Sequence, residues 1–200
     1  PGVNGADTAG GEADRVAAAT SGAHGVLLPK ISNAAEVHAA QATLEANGAP
    51  DSLAIWCMME TPAGILHAEE IAAASPRLGG FVMGTSDLTK DLQAAHTPLR
   101  LPMLTSLGLC LLAARAHGLA IVDGVYLDLG DADGFAAACQ QGAELGFDGK
   151  TLIHPSQLEP CNRIFSPDPD EVVFSRQIIE AFKQPENAGK GVLKVEGRMV

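Results

Sequence analysis

Large rings are scarce in this chain: aromatic residues fill only 4% of its 200 positions, with one Trp and one Tyr. A core built from such a composition rests on Leu, Val, Ile and close helix packing, and stacking platforms for nucleic-acid bases are disfavoured. Positive charge is also short. Thirteen Lys and Arg stand against 24 Asp and Glu, a formal charge of -11 with no basic block, so a nucleic-acid partner is not expected. The four cysteines, Cys57, Cys110, Cys139 and Cys161, form no CxxC pair, which argues against a zinc site or a disulfide framework and for buried free thiols. Apolar runs are too short to span a bilayer and no charged-then-apolar leader opens the chain. A cytoplasmic enzyme without a membrane partner is the expectation.

What the chain has is alternation. With 46% hydrophobic residues, apolar strand-length runs alternate with longer Ala-rich helical stretches, the pattern of repeated strand-helix units around a buried parallel sheet. Strands are expected at 25–29, 53–59, 80–83, 120–127 and 150–153. Helices are expected at 11–22, 32–47, 62–74, 87–93, 103–117, 132–145, near 155 and at 169–182, with a flexible turn at 184–191. Asn33 or Ser32 can cap the second helix, and Thr61 with Pro62 the third. Residues 1–200 are read as a single domain, with 168–200 a helical extension and tail. Gly2-Val3-Asn4-Gly5 reads like the end of a further strand and Met199-Val200 like an unfinished apolar segment, so a piece of a larger protein is expected.

Two carboxylates stand out. Glu60 in Met58-Met59-Glu60-Thr61-Pro62 and Asp87 in Gly84-Thr85-Ser86-Asp87-Leu88 each lie where an apolar run gives way to a helix start. Their separation of 27 positions (87 minus 60) suits one strand-helix-strand step, which places both acids at the C-terminal ends of neighbouring parallel strands. Two such oxygen donors are what Mg2+ takes from protein while substrate and water complete its shell.

Five segments carry a resemblance: GVLLPK at 25–30, METPAGI at 59–65, MGTSDLTKDL at 83–92, VDGVYLDLGDADGF at 122–135 and GFDGKTLIHPSQLEP at 146–160. In that order they resemble the citrate lyase beta subunit and malyl-CoA lyase family of CoA-ester lyases, within the HpcH/HpaI aldolase superfamily. The resemblance implies an α/β fold of the TIM (β/α)8 type, here truncated and lacking the first strands, assembled as a homo-trimer or hexamer. It implies Mg2+ held by Glu60 and Asp87 as metal ligands and catalytic residues, with Glu60, Gly84, Thr85 and Ser86 receiving substrate. The reaction it implies is cleavage or formation of the carbon-carbon bond of a 3-hydroxyacyl-CoA, giving a CoA thioester and a 2-oxo acid. A malyl-CoA thioesterase of the same family and a catalytically impaired structural relative are the alternatives. Gly2 is a departure: the family carries Arg there in an R-V-N word, and Gly can neither clamp a carboxylate nor stabilise an enolate.

Other residues have plainer readings. Lys30 either balances the two acids or ends its strand. Asp123 lies inside an apolar strand and needs a partner or a place at the mouth. Asp128 and Asp131 read as turn and cap residues, and His154 as either a structural hydrogen-bonder or a substrate contact. Gly146–Lys150 (GFDGK) is a tight turn rather than a phosphate loop, since it enters a strand instead of a helix.

Overall fold

The computed structural model of the protein describes residues 1–6 and 8–200. They form two compact units, Pro1–Phe165 and Ser166–Val200. Five parallel strands build the first: β1 (Gly25–Leu28), β2 (Ala54–Met59), β3 (Leu78–Met83), β4 (Ala120–Asp123) and β5 (Gly149–Lys150), hydrogen-bonded in the order β1-β2-β3-β4-β5. Sequential parallel neighbours joined by helical crossovers are the topology of a TIM-type barrel, and these strands form an arc of one. Before β1, Gly2 makes a parallel bridge to Leu27, with the Leu27 N–H donating to the Pro1 carbonyl at 2.8 Å, so the strand-like reading of the first residues agrees with their place.

The helices are α1 (Gly11–Ala19), α2 (Ala34–Ala46), α3 (Pro62–Leu66), α4 (Ala68–Ala72), α5 (Thr85–Asp91), α6 (Leu104–Ala116), α7 (Ala132–Leu145) and α8 (Leu158–Phe165). Local chemistry sets where several begin. Asn33 caps α2 by accepting the Glu36 N–H at 3.1 Å, Thr61 caps α3 by accepting the Gly64 N–H at 3.0 Å, and Asp131 caps α7 by accepting the Gly134 N–H at 2.9 Å. Gly146, at φ 99°, ends α7 in the left-handed region, and the Phe147 N–H returns to the Gly142 carbonyl. The chain is thereby turned into β5.

Burial follows the alternation. In β2, Ile55, Cys57 and Met59 are fully buried while Ala54, Trp56 and Met58 are partly so. The buried set packs with Val26, Phe81, Ile121 and helix residues such as Leu44, Ile71 and Leu107 in one core. Trp56 lies across Gly79 and Gly80, and a Cβ on Gly80 would stand 2.5 Å from the Ala120 carbonyl, so only glycine fits between ring and strand there. All four cysteines are buried and free, as expected.

Three expected elements differ. The helix expected over 62–74 is two short helices separated at His67, whose Nδ1 lies 2.8 Å from the Ser32 carbonyl oxygen. The strand expected to reach 127 stops at Asp123, because that carboxylate is held by side chains from two other segments and the backbone turns after it. The strand expected over 150–153 pairs only through Gly149 and Lys150, although the Thr151 N–H still donates to the Asp123 carbonyl at 2.9 Å.

The second unit holds α9 (Pro169–Lys183), capped by Asp168, and an antiparallel pair, β6 (Lys194–Val195) with β7 (Arg198–Met199). Met199 lies in the second arm of this hairpin, and the Arg198 guanidinium lies 5.0 Å from the Phe174 ring centre. Among the described residues no helix is long and apolar enough to cross a membrane.

Candidate functional site

Glu60 is the residue after β2, and Gly84 the residue after β3. The Gly84 N–H donates to the Met59 carbonyl at 3.0 Å, so the sheet pairing continues to the point where both segments leave it. α5 then begins at Thr85, and Asp87 lies in its first turn. The two acids arrive on neighbouring strands at the same end of the sheet, as expected from the 27-residue spacing. Glu60, Gly84, Thr85, Ser86 and Asp87 all line one cavity of about 140 Å3.

Glu60 is buried, 4% exposed. Its Oε1 accepts the backbone N–H of Lys30 at 2.9 Å, and Oε2 lies against Gly84, where any side chain would collide with the carboxylate. Burial raises the Glu60 carboxyl above its ordinary value, the Lys30 N–H partly opposes this, and the neighbouring Asp87 carboxylate raises it further. Asp87 is less enclosed and accepts the Lys30 ammonium at 3.3 Å. Lys30 is raised by its hydrogen bond to Asp87 first and by that residue's charge second. One residue therefore touches both acids.

A second cavity of about 460 Å3 shares Thr85, Ser86 and Val125 with the first. Its lining is mainly apolar, with Ala95, Pro98, Met103 and Leu127 among it. Arg100 and Lys150 also line the cavity, and both reach a buried carboxylate behind them. Asp123, fully buried, accepts the Arg100 Nη1 at 2.7 and 2.8 Å, the Lys150 Nζ at 3.0 Å and the Gly124 N–H at 2.8 Å. Gly124 packs in turn against the Thr85 side chain, so this group supports the loop that borders both cavities.

Asp123 was expected to have a partner or a place at the mouth; it has partners, and Arg100 and Lys150 were not expected as those partners. Arg100 lies in an irregular loop at φ 52°, and Lys150 in a segment readable as a turn, so nothing in spacing joins them to position 123. Asp128 and Asp131 have the expected turn and cap roles, accepting the N–H groups of Gly130 and Gly134 at 2.9 Å. His154 hydrogen-bonds within its own turn, to Ser156.

Hard dications such as Mg2+ take oxygen donors, often only one or two from protein carboxylates. Glu60 Oε2 and Asp87 supply such donors on one cavity wall. Among the described residues no three His, Cys, Asp or Glu side chains cluster as a metal cage would need. The donor set fits a dication whose shell is completed by substrate and water.

The chain is similar to several known proteins. The (3S)-malyl-CoA thioesterase of Cereibacter sphaeroides is 52% identical over 198 residues, covering 99% of this chain and 67% of that protein. The citrate lyase subunit beta of Escherichia coli (strain K12) is 34% identical over 203 residues, with 99% and 67% covered. Among solved structures, the protein CitE of Mycobacterium tuberculosis, in complex with magnesium, acetoacetate and coenzyme A, superposes with a TM-score of 0.75 at 29% identity, covering all of this chain and 71% of that one. A citrate lyase of Burkholderia xenovorans LB400 superposes at 0.85 with 19% identity, covering 100% of this chain and 66% of that one, a likeness of fold. The sequence profile of the HpcH/HpaI aldolase/citrate lyase family matches residues 2–155, and this chain belongs to that family.

Proposed function

We propose that the protein is a Mg2+-dependent enzyme acting on the CoA thioester of a 3-hydroxy dicarboxylic acid of the malyl-CoA kind. The observation that carries this reading is the meeting of Glu60 and Asp87 on one cavity wall, bridged by Lys30. Mg2+ bound there would supply Lewis-acid polarisation of a substrate hydroxyl or carbonyl oxygen. Glu60, fixed through Oε1 by the Lys30 N–H, keeps Oε2 for the cation. Thr85 and Ser86 open α5, where helix geometry leaves N–H groups without an intrahelical acceptor, and they receive the substrate's free carboxylate. The adjoining cavity of about 460 Å3 gives room for part of a thioester.

Two outcomes share such a site. Splitting the carbon-carbon bond yields acetyl-CoA and a 2-oxo acid; hydrolysing the thioester yields free CoA and the hydroxy acid. The 52% identity to a (3S)-malyl-CoA thioesterase, against 34% to a citrate lyase beta subunit, favours hydrolysis as the outcome for this chain. Carbon-carbon cleavage is the second reading, supported by the citrate lyase relatives and by the CitE complex with magnesium, acetoacetate and coenzyme A. Incubation of the protein with malyl-CoA and Mg2+, followed by separation of CoA species, tests both. Free CoA with malate is the expected product pair. Acetyl-CoA with glyoxylate selects the lyase, and no turnover of any hydroxyacyl-CoA defeats the proposal.

A further inference from the structure

Lys30 has an unusual backbone for a residue with a long side chain: its φ is 54°, in the left-handed region. Such a conformation persists only where its surroundings fix it. Here they do. The Ser32 hydroxyl lies 3.0 Å from that of Thr61, the Ser32 carbonyl oxygen lies 2.8 Å from His67 Nδ1, and Gly64 approaches the Ile31 carbonyl so closely that a side chain there would overlap it. The 30–32 turn is thus pinned to the start of α3, and the pinned turn aims the Lys30 N–H at Glu60 Oε1. The side chain differs in character. It is 56% exposed, its partner Asp87 is 43% exposed, and the ammonium-carboxylate contact is long at 3.3 Å.

We propose that Lys30 is a positioning residue with a fixed half and an exchangeable half: its backbone N–H sets the Glu60 carboxylate, and its ammonium holds the place beside Asp87 that a divalent cation takes over. This deepens the cation-site reading above and rests on it. Without a dication, two acids sit together with one of them buried, and the ammonium offsets their repulsion. A dication supplies more charge at shorter range to both, so it displaces the ammonium from Asp87 while the backbone contact to Glu60 stays. Lys30 therefore lowers affinity for the free cation, and the released ammonium can turn toward an incoming anionic substrate.

The test is Mn2+ binding, followed by paramagnetic resonance without substrate, in the wild type, Lys30→Gly, Lys30→Arg and Lys90→Met. Glycine keeps the N–H and adopts the left-handed φ freely, so Lys30→Gly removes the ammonium with its stem and leaves the backbone contact to Glu60 in place. Its expected effect is tighter Mn2+ binding by about 2- to 5-fold, the size of one exposed charge pair. Lys30→Arg restores the wild-type value, and Lys90→Met, an equal charge change on α5, gives a smaller effect. Unchanged or weaker binding in Lys30→Gly, or an equal gain in Lys90→Met, overturns the placeholder role and leaves the cation site standing. Mn2+ binding that survives intact in the double variant Glu60→Gln, Asp87→Asn overturns the cation site itself, as does a wild type that binds none.

Discussion

Replacing Asp123 by Asn keeps the shape of a buried side chain and removes its charge, so the stability it loses measures the ionic group at the wall of the larger cavity. Two cations converge on Asp123, and the Lys150 side chain is only 1% exposed, so its ammonium is left poorly solvated when the charge goes. Net buried charge rises by one positive unit. Breaking such a buried group by removing one partner costs about 3–5 kcal/mol, which for a chain of this size lowers the melting midpoint by roughly 6–20 °C. Urea unfolding of wild type and Asp123→Asn at pH 7 reads the difference directly. Adding Lys150→Met to the variant removes the most enclosed stranded cation and should recover part of the loss. A cost below about 1 kcal/mol, no greater than that of an exposed pair, would refute the claim that Asp123, Arg100 and Lys150 form a load-carrying buried unit.

Other substitutions probe separate parts of the account. Gly84→Ala drives a methyl group into the Glu60 carboxylate; it should cost about 1–3 kcal/mol by overpacking and weaken Mn2+ binding, both visible in one metal-titrated melting series. Glu60→Gln removes a buried charge set beside another acid, so the metal-free variant should melt no lower than wild type while losing the stabilisation that Mg2+ gives, readable by calorimetry with and without the ion. Asp148 is held below its ordinary value of 3.8 by its hydrogen bonds to Arg115. A lowered folded pKa means that its contribution is present above that ordinary value and is lost as pH falls through the folded one; Asp148→Asn should therefore flatten stability against pH in that acid range and change little between pH 6 and 8.

The strand-helix alternation was legible because both periods survive in the sequence: Ile55, Cys57 and Met59 bury every second residue of β2, and the caps Asn33, Thr61 and Asp131 announce three helix starts. The placing of Glu60 and Asp87 at neighbouring strand ends was legible because 27 positions suit one strand-helix-strand step. Boundaries set by tertiary contacts were not. β4 ends where Asp123 meets Arg100 and Lys150, 23 residues before it and 27 after, and no local pattern encodes that meeting. The left-handed turn at Lys30 was hidden likewise, because Lys carries no preference for positive φ and the contacts that hold it there come from Thr61, Gly64 and His67.

Anomalous diffraction from crystals grown with Mn2+ addresses the shared cation with the fewest intermediate steps. The expected map has one strong peak within bonding distance of both Glu60 Oε2 and an Asp87 carboxylate oxygen, with the Lys30 ammonium moved off Asp87. A peak elsewhere, or carboxylates that stay bridged by Lys30 at saturating Mn2+, would contradict the account.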